Sequence, residues 1–226
     1  KKYKYNVKSG RYIIRKGMNN NDIINSIRSK NMPLNISFNN QERLENLAGR
    51  LAQQLDVDSL ELLTVMEDPK FLAKHNFTNE TALSMYVPNS YEFFWNSSAE
   101  TIRNRMLKEY EAFWTPSRLK KAKALNLSKN EVVALASIVH KETAKVDERP
   151  RVAGVYLNRL RLGMPLQADP TVIYAKKKEA NNFNMVIKRV LYKDLEIDSP
   201  YNTYKYGGLP PGPITMPDVS AVDAVL

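Results

Sequence analysis

The sequence of 226 residues contains no cysteine and only two histidines, His75 and His140, far apart in the chain. The first absence excludes disulfides, cysteine nucleophiles and cysteine-based metal sites. Two widely separated histidines give little basis for a zinc or other transition-metal site. We therefore expect no metal and no other cofactor. A chain without cysteine is compatible with export, although many cytosolic proteins also lack this residue.

The sequence also lacks a long hydrophobic run. No stretch approaches the roughly 20 apolar residues that a membrane span needs, and the start KKYKYNVKSGRY is too basic and polar for a signal-peptide core. We expect any membrane anchor to precede Lys1. The formal charge of +10 is scattered and shows no aromatic-basic ladder, so we expect no nucleic-acid partner. An anionic cell-wall polymer or lipid surface accounts for the charge equally well.

The pattern of apolar residues predicts an α+β chain. RYIIR (11–15) is interpreted as a strand followed by a helix. LNISF alternates as a second strand, and two leucine-rich segments, ERLENLAGRLAQQL and DSLELLTVM, predict helices. With a further strand around MYV (85–87), this gives a small LysM-like βααβ unit. Such units often bind amino-sugar polymers, but leucines at helical spacing more often simply form a core. A long charged helix, about Ala99 to Leu125, follows.

The stretch LSKNEVVALASIVHKETA carries the candidate catalytic residue. Ser128 and Glu131 have the spacing of a capping box, so a helix should begin near Lys129. Its apolar stripe continues at helical spacing to Glu142, which should therefore point toward the core side. Desolvation and the negative end of the helix dipole would favour the neutral acid, as a proton donor requires. Alternatively the helix ends just before Glu142, and this side chain is merely solvated.

Two further segments supply candidate binding residues. A second helix, with Pro150 near its start and Gly163 after its end, leads into the polar loop PLQADP. The later segment SPYNTYKYGGLPPGPITMP has too many prolines and glycines for regular structure. One interpretation of Asp169 is an N-cap for the next helix. We expect His140 to be solvated or structural. The candidate substrate-binding residues in these segments are Gln167, Asp169, Asn202, Tyr204 and Tyr201.

Three segments, LASIVHKETA, RVAGVYLNRLRLGMPLQADPTVIYA and SPYNTYKYGGLPPGPI, resemble in sequence and order the motifs of the YceG-like endolytic murein transglycosylases. GRYIIRKGMNNNDIINSIR and SMYVPNSYEFFW also resemble this family. The resemblance implies a small LysM-like module followed by a mostly helical catalytic domain with short strands and irregular Pro/Gly-rich segments. We assign residues 1–33 to an N-terminal strand-helix segment, 34–90 to the LysM-like module and 91–226 to the catalytic domain.

The resemblance also implies the chemistry. Peptidoglycan strands would be cleaved without water between N-acetylmuramic acid and N-acetylglucosamine, with Glu142 as acid and then base, leaving a 1,6-anhydro end. Cell-wall synthases would be possible partners. A single-pass anchor in the cell inner membrane would hold this domain in the periplasm or outside the cytoplasmic membrane. The sequence departs from the family at His140, where many members have an acidic residue, and at Ala168, where Thr or Ser is frequent.

Two alternatives stay open at the level of the sequence. A muramidase-type hydrolase would use Asp169, Glu148 or Asp147 as a second carboxylate. A non-enzymatic protein would bind glycan strands and leave them intact. In either enzymatic case, the tyrosine-rich segment Tyr201 to Ile214 should pack against the Glu142 helix and the Gln167 loop. Together these elements should line a groove that is open at both ends.

Overall fold

The computed structural model describes residues 9–226, so the first eight residues of the predicted N-terminal segment lie outside the described part. The predicted α+β class is confirmed, because the described residues form mostly helices and one small sheet. The helices are α1 (Asn20–Ser29), α2 (Leu44–Ala52), α3 (Ser59–Met66), α4 (Pro69–Lys74), α5 (Ala99–Phe113), α6 (Pro116–Ala124), α7 (Lys129–Glu142), α8 (Arg149–Arg161), α9 (Asp169–Glu179) and α10 (Val219–Val225). The strands are β1 (Pro33–Phe38) and β2 (Asn89–Phe94).

The segment before α1 is irregular, so the strand predicted at 11–15 is wrong. Its backbone carbonyls accept hydrogen bonds from α1 and from the residues after it, and not from a neighbouring strand. The Ser26 hydroxyl of α1 donates to the carbonyl of Ile13 at 3.1 Å, and the amide of Met32 donates to the carbonyl of Arg11 at 2.9 Å. Because these contacts already satisfy part of the backbone, the segment does not form a strand.

The sheet is a single antiparallel pair in which Pro33 faces Phe94 and Phe38 faces Asn89. The predicted order of strand, two helices and strand is present, with α4 and a short 3₁₀-helix added before the second strand. The strand predicted at 85–87 is displaced, because Ala82–Met85 form that 3₁₀-helix. The expected domain boundary after residue 90 falls inside β2. The LysM-like character of this unit stays a prediction.

The long helix predicted from Ala99 to Leu125 is two helices. Pro116 lacks an amide hydrogen and opens α6. The Thr115 hydroxyl caps the new start by accepting from the amide of Arg118 at 3.3 Å. The proline and its cap therefore end α5 and restart the chain in α6.

One hydrophobic core runs from the inner face of the sheet to α10. Its centre is α7, in which every residue from 132 to 139 is buried. The N-terminal unit is joined to this helical part through Glu42, whose two carboxylate oxygens accept from Lys141 at 2.7 Å and from Lys177 at 2.8 Å. This contact holds the end of α7 against the side of α9. Within residues 9–226, no helix is both long and apolar enough to cross a bilayer.

Candidate active site

Glu142 is the last residue of α7. The predicted capping box opens this helix: the Ser128 hydroxyl accepts from the Glu131 amide at 3.2 Å, and the Glu131 carboxylate accepts from the Ser128 amide at 2.7 Å. Glu142 itself is exposed, so its predicted position on the core side is only partly right. The carboxylate lies where a buried helix reaches the surface, which combines a rigid support with access for a ligand.

The surroundings of Glu142 favour its protonated form. Burial of part of the carboxyl group raises its pKa, and the negative charge of Asp169 raises it further. A hydrogen bond from the hydroxyl of Tyr156 on α8 opposes this shift, and the net direction is upward. Arg159, one turn later on α8, provides a positive charge close to Tyr156 and to Tyr204. An upward shift of the pKa is the direction that a proton donor requires.

Asp169 is not the N-cap of α9, contrary to one interpretation of the sequence. Ala168 occupies the cap position, and no side chain caps this helix. Asp169 is exposed in the first turn, and its carboxylate accepts from the hydroxyl of Tyr204 at 2.6 Å. Burial and this hydrogen bond raise the pKa of Tyr204 to about 12, so the phenol keeps its proton and donates. Two predicted site residues are thereby brought together beside Glu142.

The loop before α9 is fixed to the tyrosine-rich segment by hydrogen bonds. Gln167 has a positive φ of 50°, uncommon for a residue with a side chain, and its amide donates to the carbonyl of Thr203 at 3.0 Å. The Thr203 hydroxyl accepts from the amide of Ala168 at 3.0 Å and lies 2.8 Å from the Thr171 hydroxyl. The Gln167 side chain is exposed and has no hydrogen-bond partner among residues 9–226. It is therefore free to contact a ligand.

Asn202 and Tyr201, both predicted as substrate contacts, are buried. Asn202 is completely buried, and its amide donates to the carbonyls of Leu195 and Ile197 at 2.8 and 2.9 Å. Its side-chain oxygen accepts from the amide of Tyr204 at 3.1 Å. Asn202 thus shapes the loop that presents Tyr204. Tyr201 is also buried and packs against a different face of α9, as described below.

The segment from 199 to 218 contains no helix or strand, as predicted. It packs against α7, because the amide of Ile214 donates to the Ser137 hydroxyl at 3.0 Å. Gly212 permits a second close contact, since a Cβ at this position would lie only 1.9 Å from the carbonyl oxygen of Glu80. The predicted packing of this segment against the Glu142 helix and the Gln167 loop is confirmed. A groove open at both ends stays a prediction.

His140 belongs to a polar network on the other side of α7. Its Nδ1 lies 3.3 Å from a carboxylate oxygen of Asp218 and 3.3 Å from the guanidinium of Arg149. Arg149 is buried and pairs with Asp218 at 2.9 Å. Burial lowers the pKa of His140, and the positive charge of Arg149 lowers it further, whereas Asp218 raises it. This environment agrees with the predicted structural role.

The other acidic residues near α7 have local partners or lie at the surface. Glu148 accepts from the Thr143 hydroxyl at 2.8 Å and from Lys145 at 3.0 Å. Asp147 is exposed just before α8. Among residues 9–226, no group of three or more His, Cys, Asp or Glu side chains could hold a metal ion. Of the carboxylates proposed as a second catalytic group, Asp169 is the one that interacts with Glu142.

Sequence reasoning did not identify Tyr156 and Arg159 as site residues. Tyr156 is only 5% exposed, like a core residue of α8, whereas its neighbour Val155 is 53% exposed. The available signal was the spacing of three between Tyr156 and Arg159, which places both on one face of α8. Arg159 also donates to the carbonyl of Leu166, which ties α8 to the loop that contains Gln167.

Comparison with known proteins identifies the family of this chain. The sequence profile of the YceG-like family matches residues 1–226. The chain belongs to the YceG-like family. It is 33% identical to the Bacillus subtilis protein named endolytic murein transglycosylase, over 96% of this chain and 63% of that protein. A Streptococcus pneumoniae protein of the same name is 36% identical, over 61% of this chain and 24% of that protein.

A solved structure supports the same assignment. The crystal structure of a yceG-like protein from Listeria monocytogenes is 32% identical and superposes with a TM-score of 0.72, covering 97% of this chain and 76% of that one. The chain spans less than two thirds of the length of the two curated relatives, 63% and 24% respectively. In this member of the YceG-like family, the three segments that resemble the family motifs meet around Glu142, Asp169 and Tyr204.

Proposed function

We propose that this chain is the catalytic part of an endolytic lytic transglycosylase that cleaves peptidoglycan glycan strands. The observation that carries the proposal is the carboxyl group of Glu142, which is accessible, held at the end of a buried helix, and shifted toward its neutral form. The two relatives named endolytic murein transglycosylase support the reaction class. A single carboxyl group that can donate and then accept a proton suffices for this reaction.

In the proposed mechanism, the Glu142 carboxyl group first donates its proton to the oxygen that links muramic C1 to N-acetylglucosamine. The C1–oxygen bond breaks, and N-acetylglucosamine leaves with a free 4-hydroxyl group. The muramic C6 hydroxyl then attacks C1, and the Glu142 carboxylate accepts the proton that this hydroxyl loses. The product is a 1,6-anhydromuramic end, Glu142 regains its proton, and no water is consumed.

The neighbouring residues have distinct proposed roles. Tyr156 orients the Glu142 carboxyl group through its hydroxyl. Asp169 disfavours a second negative charge beside it, because like charges in close proximity raise each other's pKa. Gln167, with its free side-chain amide, is the candidate contact for an N-acetyl or hydroxyl group of the sugar. Tyr204 positions Asp169 and presents a partly exposed ring to the same side.

The wider setting is also a proposal. Family resemblance suggests that a membrane anchor precedes Lys1, that this domain acts in the periplasm or outside the cytoplasmic membrane, and that cell-wall synthases work beside it. The charge of +10 favours an approach to anionic cell-wall polymers or lipid headgroups.

The hydrolase alternative has one observation in its favour, the electrostatic interaction of Asp169 with Glu142. A hydrolase would use Asp169 as base or nucleophile and would leave a reducing muramic end. The hydrogen bond from Tyr204 already occupies one Asp169 oxygen, which favours a supporting role over a nucleophilic one. Mass spectrometry of the digestion products separates the possibilities, because anhydro ends, reducing ends and intact strands differ in mass.

The decisive variant is Glu142→Gln. It keeps the size of the side chain but cannot transfer a proton, so the rate of anhydro-muropeptide formation should fall by roughly 10² to 10⁴ while the fold persists. Glu111→Gln, an exposed position on α5, is the matched control and should keep the parent rate. A Glu142→Gln protein that forms anhydro ends at the parent rate would refute the assignment.

A further inference from the structure

A recess on the flank of α9 has the character of a binding site and takes no part in the proposed proton transfer. Three aromatic rings line it: Tyr174 lies 4.7 Å from Tyr201 and 5.4 Å from Phe183 between ring centroids. Tyr201 is only 2% exposed, so its ring is held rigidly by the protein. The other wall comes from the N-terminal unit. The recess therefore lies at the junction of the two parts of the chain.

Within the described part of the chain, some charged side chains of the recess have an oppositely charged partner, and one carboxylate does not. Arg43 lies 4.4 Å above the Phe183 ring and pairs with Glu45 at 3.3 Å, and Lys178 lies 4.7 Å from the Tyr201 ring. Glu67 lines the same recess at its exposed rim, and its side chain has no ion-pair or hydrogen-bond partner among residues 9–226. Burial raises the pKa of Glu67, and the nearby charge of Glu45 raises it further. An incoming ammonium group at this position would relieve the repulsion between the two carboxylates.

The recess lies close to the candidate active site. A smaller hollow, lined by residues that include Lys141 and Pro170, lies next to it. Glu42 and Tyr174 line both the hollow and the recess, so they stand between the two. Lys141 directly precedes Glu142, and Pro170 directly follows Asp169. A ligand of the recess would therefore be a neighbour of a chain bound at Glu142.

We propose that this recess binds the amine-bearing peptide stem of the peptidoglycan strand, with the ammonium group at Glu67 and the stem lying against the Tyr174 ring. This inference rests on the proposed function for the identity of its ligand. A neutral sugar could stack on the rings but would leave the Glu67 charge uncompensated. A peptide stem supplies an ammonium group for Glu67 and a carboxylate for Lys178.

The site is tested by calorimetry with two synthetic stem tetrapeptides. One carries a free lysine ε-amine, and the other is acetylated at that amine. The parent protein should bind the free amine about tenfold more tightly, as expected for one additional charge-assisted contact. Glu67→Gln should bind the two peptides equally. Glu61→Gln, in the exposed first turn of α3, is the matched control and should keep the preference. Equal binding by the parent, or an unchanged preference in Glu67→Gln, overturns the proposal.

Glu142→Gln separates this site from the proposed reaction, because it should keep the preference for the free amine. Cleavage is then measured on strands with free-amine stems and on strands from which the stems have been removed. The parent should favour the first substrate, and Glu67→Gln should cleave both at similar rates. If no strand yields anhydro ends but peptide binding still depends on Glu67, the reaction fails and the site stands. If strands are cleaved with no stem preference, the site fails and the reaction stands.

Discussion

Ser137→Ala should destabilise the protein, because it removes a buried hydroxyl that makes two hydrogen bonds. Ser137 lies in the middle of α7 and is completely buried. Its hydroxyl donates to the carbonyl of Ala134 at 2.6 Å and accepts from the amide of Ile214 at 3.0 Å. The Ala134 carbonyl lies inside the helix, but Ile214 is 2% exposed. Removal of the hydroxyl therefore leaves a buried amide without a partner.

An unsatisfied buried amide costs about 1 to 3 kcal/mol. For a chain of this length each kcal/mol lowers Tm by about 2 to 4 °C, so the expected drop is about 2 to 12 °C. Ser84→Ala is the matched control, because Ser84 is buried but its hydroxyl has no partner among residues 9–226. Both variants lose one oxygen atom, so their packing defects are similar. Ser84→Ala should not lower the free energy of unfolding, because it removes a buried hydroxyl that has no such partner to lose.

Urea unfolding, followed by the fluorescence of Trp95 and Trp114, measures the free-energy difference between the variants. The slope of unfolding free energy against urea should stay constant, because both variants expose the same surface on unfolding. Equal stability of Ser137→Ala and Ser84→Ala would refute the argument that the Ile214 amide depends on Ser137.

Two further predictions follow from the electrostatics of the site. Burial raises the pKa of Glu42, but its two lysine partners outweigh this effect, so the net shift is downward. The carboxylate therefore stabilises the fold above its unfolded pKa of about 4.3. This contribution is lost as the pH falls through the lowered pKa of the folded state. In thermal unfolding at pH 7, Glu42→Gln should therefore be less stable than the parent, and the difference in stability should vanish below about pH 4. A stability difference that does not depend on pH would contradict this. Tyr156→Phe removes the hydrogen bond that opposes the upward pKa shift of Glu142. The alkaline limb of the kcat/KM pH profile should therefore move to higher pH. A limb that does not move would show that Tyr156 is not part of the site.

The features predicted correctly from the sequence depend on neighbouring residues. The start of α7 follows from Ser128 and Glu131, which bind each other's backbone within one turn. The proline near the start of α8 and Gly163 after its end mark that helix in the same local way. The break at Pro116 was equally visible in the sequence. Pro116 has no amide hydrogen to donate within a helix, so one helix ends before it and the next begins at it.

The errors at the candidate site arise from contacts between residues far apart in the chain. Asp169 has the local pattern of an N-cap, but its carboxylate is bound by a tyrosine 35 positions later. Asn202 is a plausible sugar contact in an irregular segment, yet its side chain is used entirely by backbone groups of Leu195, Ile197 and Tyr204. Tyr156 has the spacing of a core residue and is indeed buried. Only its hydroxyl reaches the site, and apolar periodicity does not predict where one polar atom points.

Burial of part of the carboxyl group and the charge of Asp169 both raise the pKa of Glu142 at the surface end of α7. The negative charge of Asp169 contributes only if it is held close to Glu142, and two tethers hold it there. The Tyr204 hydroxyl binds the Asp169 carboxylate directly. The paired hydroxyls of Thr171 and Thr203 join α9 to the loop that carries Tyr204. Both tethers form without a ligand. Folding therefore supplies the free energy needed to hold the two carboxylates close together, and binding of a glycan strand need not supply it.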